Sequence, residues 1–180
     1  MLSDLLSVCL EIIPMVLGCA FLLRFWAQRC QASAPLNIAR YIVRMTDWLV
    51  MPLYKTVFMK RGADWAALVG GILVAWVAAV LDTWLFSMIT VRVVLFLTLM
   101  SLVRWIFYGF MAMLFIEAVL SWVNPYTPFA FFIRSMTEPL MRPVRKVVPT
   151  LGRFDFSPMI VFFLLHIGLR LISRLLSVLI

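Results

Sequence analysis

Long apolar runs alternate with shorter polar segments along the whole chain. Apolar runs at residues 5–21, 65–81, 105–123 and 158–169, each with flanks a bilayer tolerates, come close to or reach the roughly 20 residues that a helix needs to cross the hydrocarbon core. The pattern therefore predicts four membrane-spanning helices, at about residues 5–27, 66–86, 105–123 and 158–178. Polar segments connect the first span to the second and the third to the fourth.

The second polar segment, "TEPLMRPVRKVVP" at residues 137–149, has the spacing of an amphipathic helix lying in the headgroup plane. Its polar side carries the basic residues Arg142, Arg145 and Lys146, and its apolar side carries Leu140, Met141, Val144, Val147 and Val148. Thr137 is the expected N-cap, with Glu138 and Pro139 in the first turn. Pro143 removes a backbone hydrogen bond, which predicts a kink or two short helices.

The two halves of the chain resemble each other. A shift of 91 positions places Thr46 and Asp47 on Thr137 and Glu138, Pro52 on Pro143, and Asp64 on Asp155. We therefore predict two tandem repeats, residues 1–82 and 105–180. Residues 83–104 are an interfacial linker helix or an extra span, and Arg92 near the middle favours the linker because a charged residue at that depth is costly.

Composition sets the class of protein. Hydrophobic residues make up 65% of the chain and charged residues 13%, and the mean hydropathy is +1.07, far from the averages of soluble domains. The predicted fold is an all-α membrane protein of about four transmembrane helices in two tandem repeats. Each repeat has an amphipathic, proline-kinked cytoplasmic hairpin between its spans.

Charge predicts the orientation. The two connecting segments, residues 28–65 and 124–156, hold eleven of the sixteen basic residues. The positive-inside rule places both segments in the cytoplasm and both termini on the opposite side of the membrane. The basic charges are too scattered to indicate nucleic-acid binding; the predicted partners are the bilayer, anionic lipid headgroups, and a membrane-protein partner or a second copy of the chain.

Ionisable side chains inside the spans are candidate functional groups. An antiparallel neighbour would bring Glu117 of the third span towards His166 or Arg170 of the fourth. Three interpretations stay open: a buried structural ion pair, an arginine that reaches the lipid interface, or an ion or proton pathway. Glu11 and Asp82 are expected close to the outer interface, where water satisfies them.

Other polar residues precede the spans. Asp155 or Ser157 is expected to cap the fourth span ahead of Pro158, and Asp64 to cap the second. The alternative for Asp155, together with Glu138, is a cytoplasmic cation site. In the second span a stripe of small residues serves close helix packing, within the chain or between two copies: Ala67, Gly71, Ala75 and Ala79. Four tryptophans at predicted span ends suggest an aromatic belt: Trp26, Trp65, Trp105 and Trp122.

Three motifs in order, "SWVNP" at 121–125, "TEPLMRPVRKVVP" and "FDFSP" at 154–158, resemble the signature of the YggT (YlmG) family of small membrane proteins. The two-repeat plan resembles its longer, proteobacterial members. In the first half, Asp47, Trp48 and Ala66-Ala67 depart from the signature, so two equivalent sites are not expected. The signature residues are Trp122, Asn124, Pro125, Thr137, Glu138, Pro139, Pro143, Asp155, Ser157 and Pro158.

The resemblance implies a non-enzymatic inner-membrane protein, in a family linked to osmotic stress tolerance with cation uptake, to division or nucleoid organisation, and to cytochrome assembly in plastids. The residues themselves offer no phosphate loop, nucleophile motif or paired metal ligands, so no enzyme activity, cofactor or metal is expected. Two functions remain: a membrane scaffold or assembly factor, and a cation (K⁺) uptake component that acts as an oligomer.

Overall fold

The computed structural model describes residues 2–54, 64–85, 90–146 and 157–178, with side chains from Val8 onward. These residues form six α-helices in the order α1 (Leu2–Arg29), α2 (Leu36–Tyr54), α3 (Trp65–Leu85), α4 (Val91–Val123), α5 (Pro128–Arg145) and α6 (Ser157–Val178). In the described part of the chain, α1, α3, α4 and α6 are long and apolar enough to cross a membrane. Four helices that could span a membrane thus lie where the four spans were predicted.

The third span is longer than predicted. α4 has 33 residues, about 50 Å at a rise of 1.5 Å per residue. It includes residues 91–104, so that part of the expected linker is continuous with the third span and is not a separate helix.

Small residues set the packing of the spans. α3 lies between α1 and α4, α1 also contacts α4, and α6 packs on α4. A Cβ atom added to Gly18 would come within 2.1 Å of the Trp105 ring, and one added to Gly70 within 2.7 Å of the Phe21 ring. The buried small-residue stripe of α3 therefore lies beside α1, within the monomer.

Two of the four tryptophans do not lie in an aromatic belt. Trp105 is buried in the middle of α4 against Gly18. The Trp26 indole N–H donates a hydrogen bond to the Met136 carbonyl at 3.0 Å. Trp65 and Trp122 are exposed near helix ends, as the belt requires. Close packing places Trp26 and Trp105 inside because the facing residues leave room for their rings.

The connecting helix α5 differs from its prediction. It begins at Pro128, where the Thr127 hydroxyl accepts a hydrogen bond from the Ala130 N–H at 3.1 Å, so the prediction of Thr137 as N-cap was wrong. The helix runs unbroken through Pro139 and Pro143. Both prolines are on the exposed face, so the interrupted backbone bonds lie where water can replace them. Residues 147–149 of the predicted helix lie outside the described residues.

Candidate functional site

Both connecting helices lie at the same end of the bundle. α2 packs on α1 and α3, and α5 packs on α4 and α6. A cluster of buried residues on α4 and α5 extends to Trp26 and to Ala32 and Ala34, which follow α1. The hydrogen bond from Trp26 to Met136 joins the two halves directly. This end of the bundle also carries most of the polar contacts between side chains.

The first polar cluster is centred on Arg24 of α1. Its guanidinium donates to Asp64 Oδ2 at 2.8 Å, and to Thr46 Oγ1 and Asp47 Oδ1, each at 2.7 Å. The Arg24 side chain is 11% exposed, and that of Asp64 is fully buried. Arg24, Thr46, Asp47, Tyr54 and Asp64 make up this Arg24 cluster, in which two carboxylates neutralise one buried cation.

Asp64 and Tyr54 complete the cluster. Asp64 Oδ1 accepts a hydrogen bond from the Ala67 N–H at 3.0 Å, which confirms Asp64 as the cap of α3. Burial raises the pKa of Tyr54, and the hydrogen bond of its hydroxyl to Asp64 raises the pKa further. α2 is thereby tied to both α1 and the start of α3.

The second polar cluster is centred on Glu117 of α4. The buried Thr137 hydroxyl donates to Glu117 Oε2, and Arg145 Nη2 lies 3.4 Å from Glu117 Oε1. Arg145 Nη1 also donates to Glu138 Oε2 at 2.9 Å. The Glu117 side chain is 6% exposed. This Glu117 cluster consists of Glu117, Thr137, Glu138 and Arg145, with Arg134 and Arg142 at its edge.

The expected pairing of Glu117 with the fourth span is wrong. In the described residues Glu117 is bonded to α5 and forms no ion pair with His166, which is half-buried, or Arg170, which is exposed. The reason is the position of α5, whose buried face lies across α4 and brings Thr137 and Arg145 to the carboxylate.

The three basic residues of the predicted binding face have different environments. Arg142 is 72% exposed, with a loose 3.7 Å contact to Glu138, and Lys146 is also exposed. The Arg145 side chain is only 30% exposed and is directed to Glu117 and Glu138. Arg145 is therefore part of the internal cluster, while Arg142, Lys146 and the half-exposed Arg134 face outward.

The remaining signature residues border this end of the bundle. Asn124 ends α4, and its side chain accepts a hydrogen bond from the Tyr126 N–H at 3.4 Å. Ser157 is buried at the start of α6, with Pro158 in the first turn. Asp155, and with it the cation site considered with Glu138, lies outside the described residues. No group of three metal-ligating side chains occurs in the part of the chain that the structure describes.

Sequence reasoning missed Arg24 and Thr46. A signal was present, because Arg24 is the one basic residue within the first predicted span and the connection that follows holds two acidic residues, Asp47 and Asp64. The match of Thr46 to Thr137 in the shifted alignment was a second signal.

Known proteins similar to this chain share most of its length. It is 29% identical to "Uncharacterized protein YggT" of Escherichia coli K12, over 92% of this chain and 86% of that protein. An uncharacterized protein of Haemophilus influenzae is 33% identical, over 80% of this chain and 78% of its own length. The family model CCB3/YggT matches residues 96–176. The chain belongs to the YggT family. The residues matched by the YggT model contain the Glu117 cluster and exclude the Arg24 cluster. No solved structure matches the chain.

Proposed function

We propose that this YggT-family protein is a non-enzymatic scaffold or assembly factor of the bacterial inner membrane, whose helix α5 binds anionic lipid headgroups. One observation carries the proposal: the buried face of α5 is hydrogen-bonded to the bundle, while its exposed face is basic. Thr137 bonds to Glu117 and the Met136 carbonyl to Trp26, whereas Arg142 and Lys146 are exposed.

These contacts favour the binding of lipid headgroups because the basic residues lie on a helix that is already ordered. The entropic penalty of association is therefore lower. We place the connecting helices in the cytoplasm and the termini in the periplasm by the positive-inside rule. The cytoplasmic leaflet is negatively charged, and each basic residue close to it contributes about 1 kcal/mol.

The test is the lipid retained by the purified full-length protein. Protein in nanodiscs containing phosphatidylglycerol and phosphatidylcholine is released into native mass spectrometry, and the bound lipids are counted. The variant Arg142→Glu/Lys146→Glu is expected to lose the enrichment of phosphatidylglycerol several-fold. The control Arg40→Glu/Arg44→Glu, an equal change of charge at exposed positions of α2, is expected to keep it. Equal enrichment in all three proteins contradicts the proposal.

Cation uptake is the second candidate, and the buried Glu117 carboxylate at the end of a span favours it. The partners of that carboxylate weigh against it, because Arg145 at 3.4 Å and Arg134 at 3.9 Å repel a cation at the same place. Flux of K⁺ and Na⁺ into proteoliposomes separates the two functions. A flux that disappears in Glu117→Gln with insertion intact would support transport and displace the scaffold.

A further inference from the structure

A cavity of about 210 Å³ lies between α1 and α4, on the side of the bundle nearest the connecting helices. It is larger than the roughly 150 Å³ at which an apolar protein cavity already admits benzene. The space is therefore large enough for a ligand. The lining residues on which the argument depends are Cys19, Leu22, Trp26, Trp105, Gly109 and Met113.

The cavity lies at the depth of the hydrocarbon core. At one end Trp105 packs against Gly18, near the middle of the apolar segment Val8–Arg29. At the other end Trp26 and Phe110 form an edge-to-face pair with ring centroids 5.2 Å apart. The lining residues of α4 cover about two turns of helix, or about 12 Å. The cavity is thus elongated along the helices, in the half of the membrane nearest α2 and α5.

The walls of the cavity do not suit water or a polar ligand. The lining side chains carry three polar hydrogens, those of Cys19, Trp26 and Trp105. Two are already used, because the Trp26 N–H donates to the Met136 carbonyl at 3.0 Å and the Cys19 thiol to the Trp105 carbonyl at 3.8 Å. The one remaining donor is fewer than the two to four polar partners that hold a buried water. Hydrocarbon is the chemistry that these walls accept.

The cavity opens towards the lipid on one side. Ile106 lies at its edge and is 41% exposed, and Cys19 and Gly109 are half-buried. A Cβ atom added to Gly109 would meet nothing within 4 Å, so the lack of a side chain at this position contributes to the space. The molecules that surround the opening are the acyl chains of the bilayer.

We propose that this cavity binds one acyl chain of a phospholipid from the leaflet next to α2 and α5. An extended chain in the cavity lies parallel to the helices, as the chains of the bilayer do, and its headgroup stays at the interface. Trp26 and Met113 line the cavity and also pack against α5, Trp26 through Met136 and Met113 through Phe132. The bound chain therefore contacts side chains that hold α5 on the bundle.

Photo-crosslinking distinguishes a bound chain from the lipids that surround any membrane protein. The full-length protein in nanodiscs is irradiated with a phosphatidylcholine that carries a diazirine on one acyl chain, and modified residues are mapped by mass spectrometry. Adducts are expected on the buried Met113 and are expected to saturate as the fraction of photolipid rises. Gly109→Leu, which fills the cavity, is expected to reduce them at least fivefold.

Two controls belong to the crosslinking experiment. Ala112→Leu adds the same side chain at an exposed position of α4 and should leave the adducts on Met113 unchanged. Adducts on the exposed Phe163 and Leu171 of α6 should be the same in both variants. Adducts confined to exposed residues, or equal adducts on Met113 in the two variants, overturn the proposal.

The reactivity of two cysteines gives a second measurement that needs no substitution. Cys19 lines the cavity, whereas Cys9 is exposed outside it. In a rigid sterol-based detergent, added phosphatidylcholine is expected to slow the alkylation of Cys19 by N-ethylmaleimide about tenfold and to leave Cys9 unchanged. Unchanged alkylation of Cys19 in the folded protein overturns the proposal, as does protection by an isoprenoid quinone without protection by phospholipid. Both experiments detect the acyl chain, so neither depends on whether α5 binds headgroups.

Discussion

The Arg24 and Glu117 clusters are built alike but carry opposite charges at their centres. In each, a buried threonine of the connecting helix bonds to a charged side chain of the preceding span: Thr46 to Arg24 and Thr137 to Glu117. The first centre is a cation held by two carboxylates, and the second is a carboxylate close to arginines.

The partners also come from different places. Arg24 is bound by groups from α2 and from the cap of α3, so three elements converge on it. The described partners of Glu117 all belong to α5, and most of the arginines there are partly exposed. The Arg24 cluster therefore holds α1, α2 and the start of α3 together. The Glu117 cluster holds only α5 against α4 and leaves positive charge on the exposed face of α5.

Removing Arg24, the centre of the first cluster, should reduce the free energy of unfolding more than the other substitutions. Arg24→Met leaves Asp64 buried without its cation, which is expected to cost about 3–5 kcal/mol of unfolding free energy. Denaturation in mixed micelles measures the change. Arg29→Met, at an exposed position on the same helix, is the control and should change stability by less than about 0.5 kcal/mol. A similar loss of unfolding free energy in Arg24→Met and Arg29→Met would show that the Arg24 cluster does not stabilise the fold.

The two threonines should differ in their importance. Thr137→Val deprives the buried Glu117 of its hydroxyl donor, an expected cost of about 2 kcal/mol. Thr46→Val removes one acceptor from Arg24 but leaves Asp47 and Asp64 in place, and about 1 kcal/mol is expected. The same denaturation assay compares them. If Thr46→Val is as destabilising as Thr137→Val, or more so, the view that Arg24 has more remaining partners than Glu117 is wrong.

The arginines of α5 should separate into a structural and a surface residue. Arg145→Met removes the contacts to Glu117 and Glu138 and is expected to cost about 1 kcal/mol. Arg142→Met should change stability by less than about 0.5 kcal/mol but should reduce the retention of phosphatidylglycerol. Thermal unfolding and native mass spectrometry on the same samples give both values. If Arg142→Met is the more destabilising of the two, the assignment of faces on α5 is wrong.

Much of this architecture follows from local sequence, but the two centres do not. Apolar runs predict the four spans, and Asp64 before α3 predicts its own capping bond, because both depend on neighbouring residues. The bond from Arg24 to Asp64 joins residues 40 positions apart and exists only because α1 and α3 pack together. Glu117 was expected near His166 or Arg170 of the fourth span but bonds to α5, since the sequence pattern does not show which helix meets the end of α4.

Tyr54 should give the smallest difference in stability between the two clusters. The described members of the Glu117 cluster include no tyrosine, so only the Arg24 cluster is expected to show it. Its pKa is raised above the ordinary value by burial and by the bond to Asp64. The folded protein therefore holds this proton more tightly than the unfolded chain, and the resulting stability is complete below about pH 10 and lost as the pH rises through the folded pKa. The stability difference between the wild type and Tyr54→Phe is expected to be about 0.5–1 kcal/mol near pH 8.

That difference should shrink above about pH 10, as an ionised Tyr54 beside Asp64 begins to oppose folding. Denaturation at a series of pH values measures it. Tyr41→Phe, at an exposed position of the same helix, should show no comparable difference at any pH. A stability difference for Tyr54→Phe that stays constant or widens through the alkaline range would place the Tyr54 hydroxyl outside the Arg24 cluster. Among the described residues, Asp64 would then keep Arg24 and the Ala67 N–H as its partners.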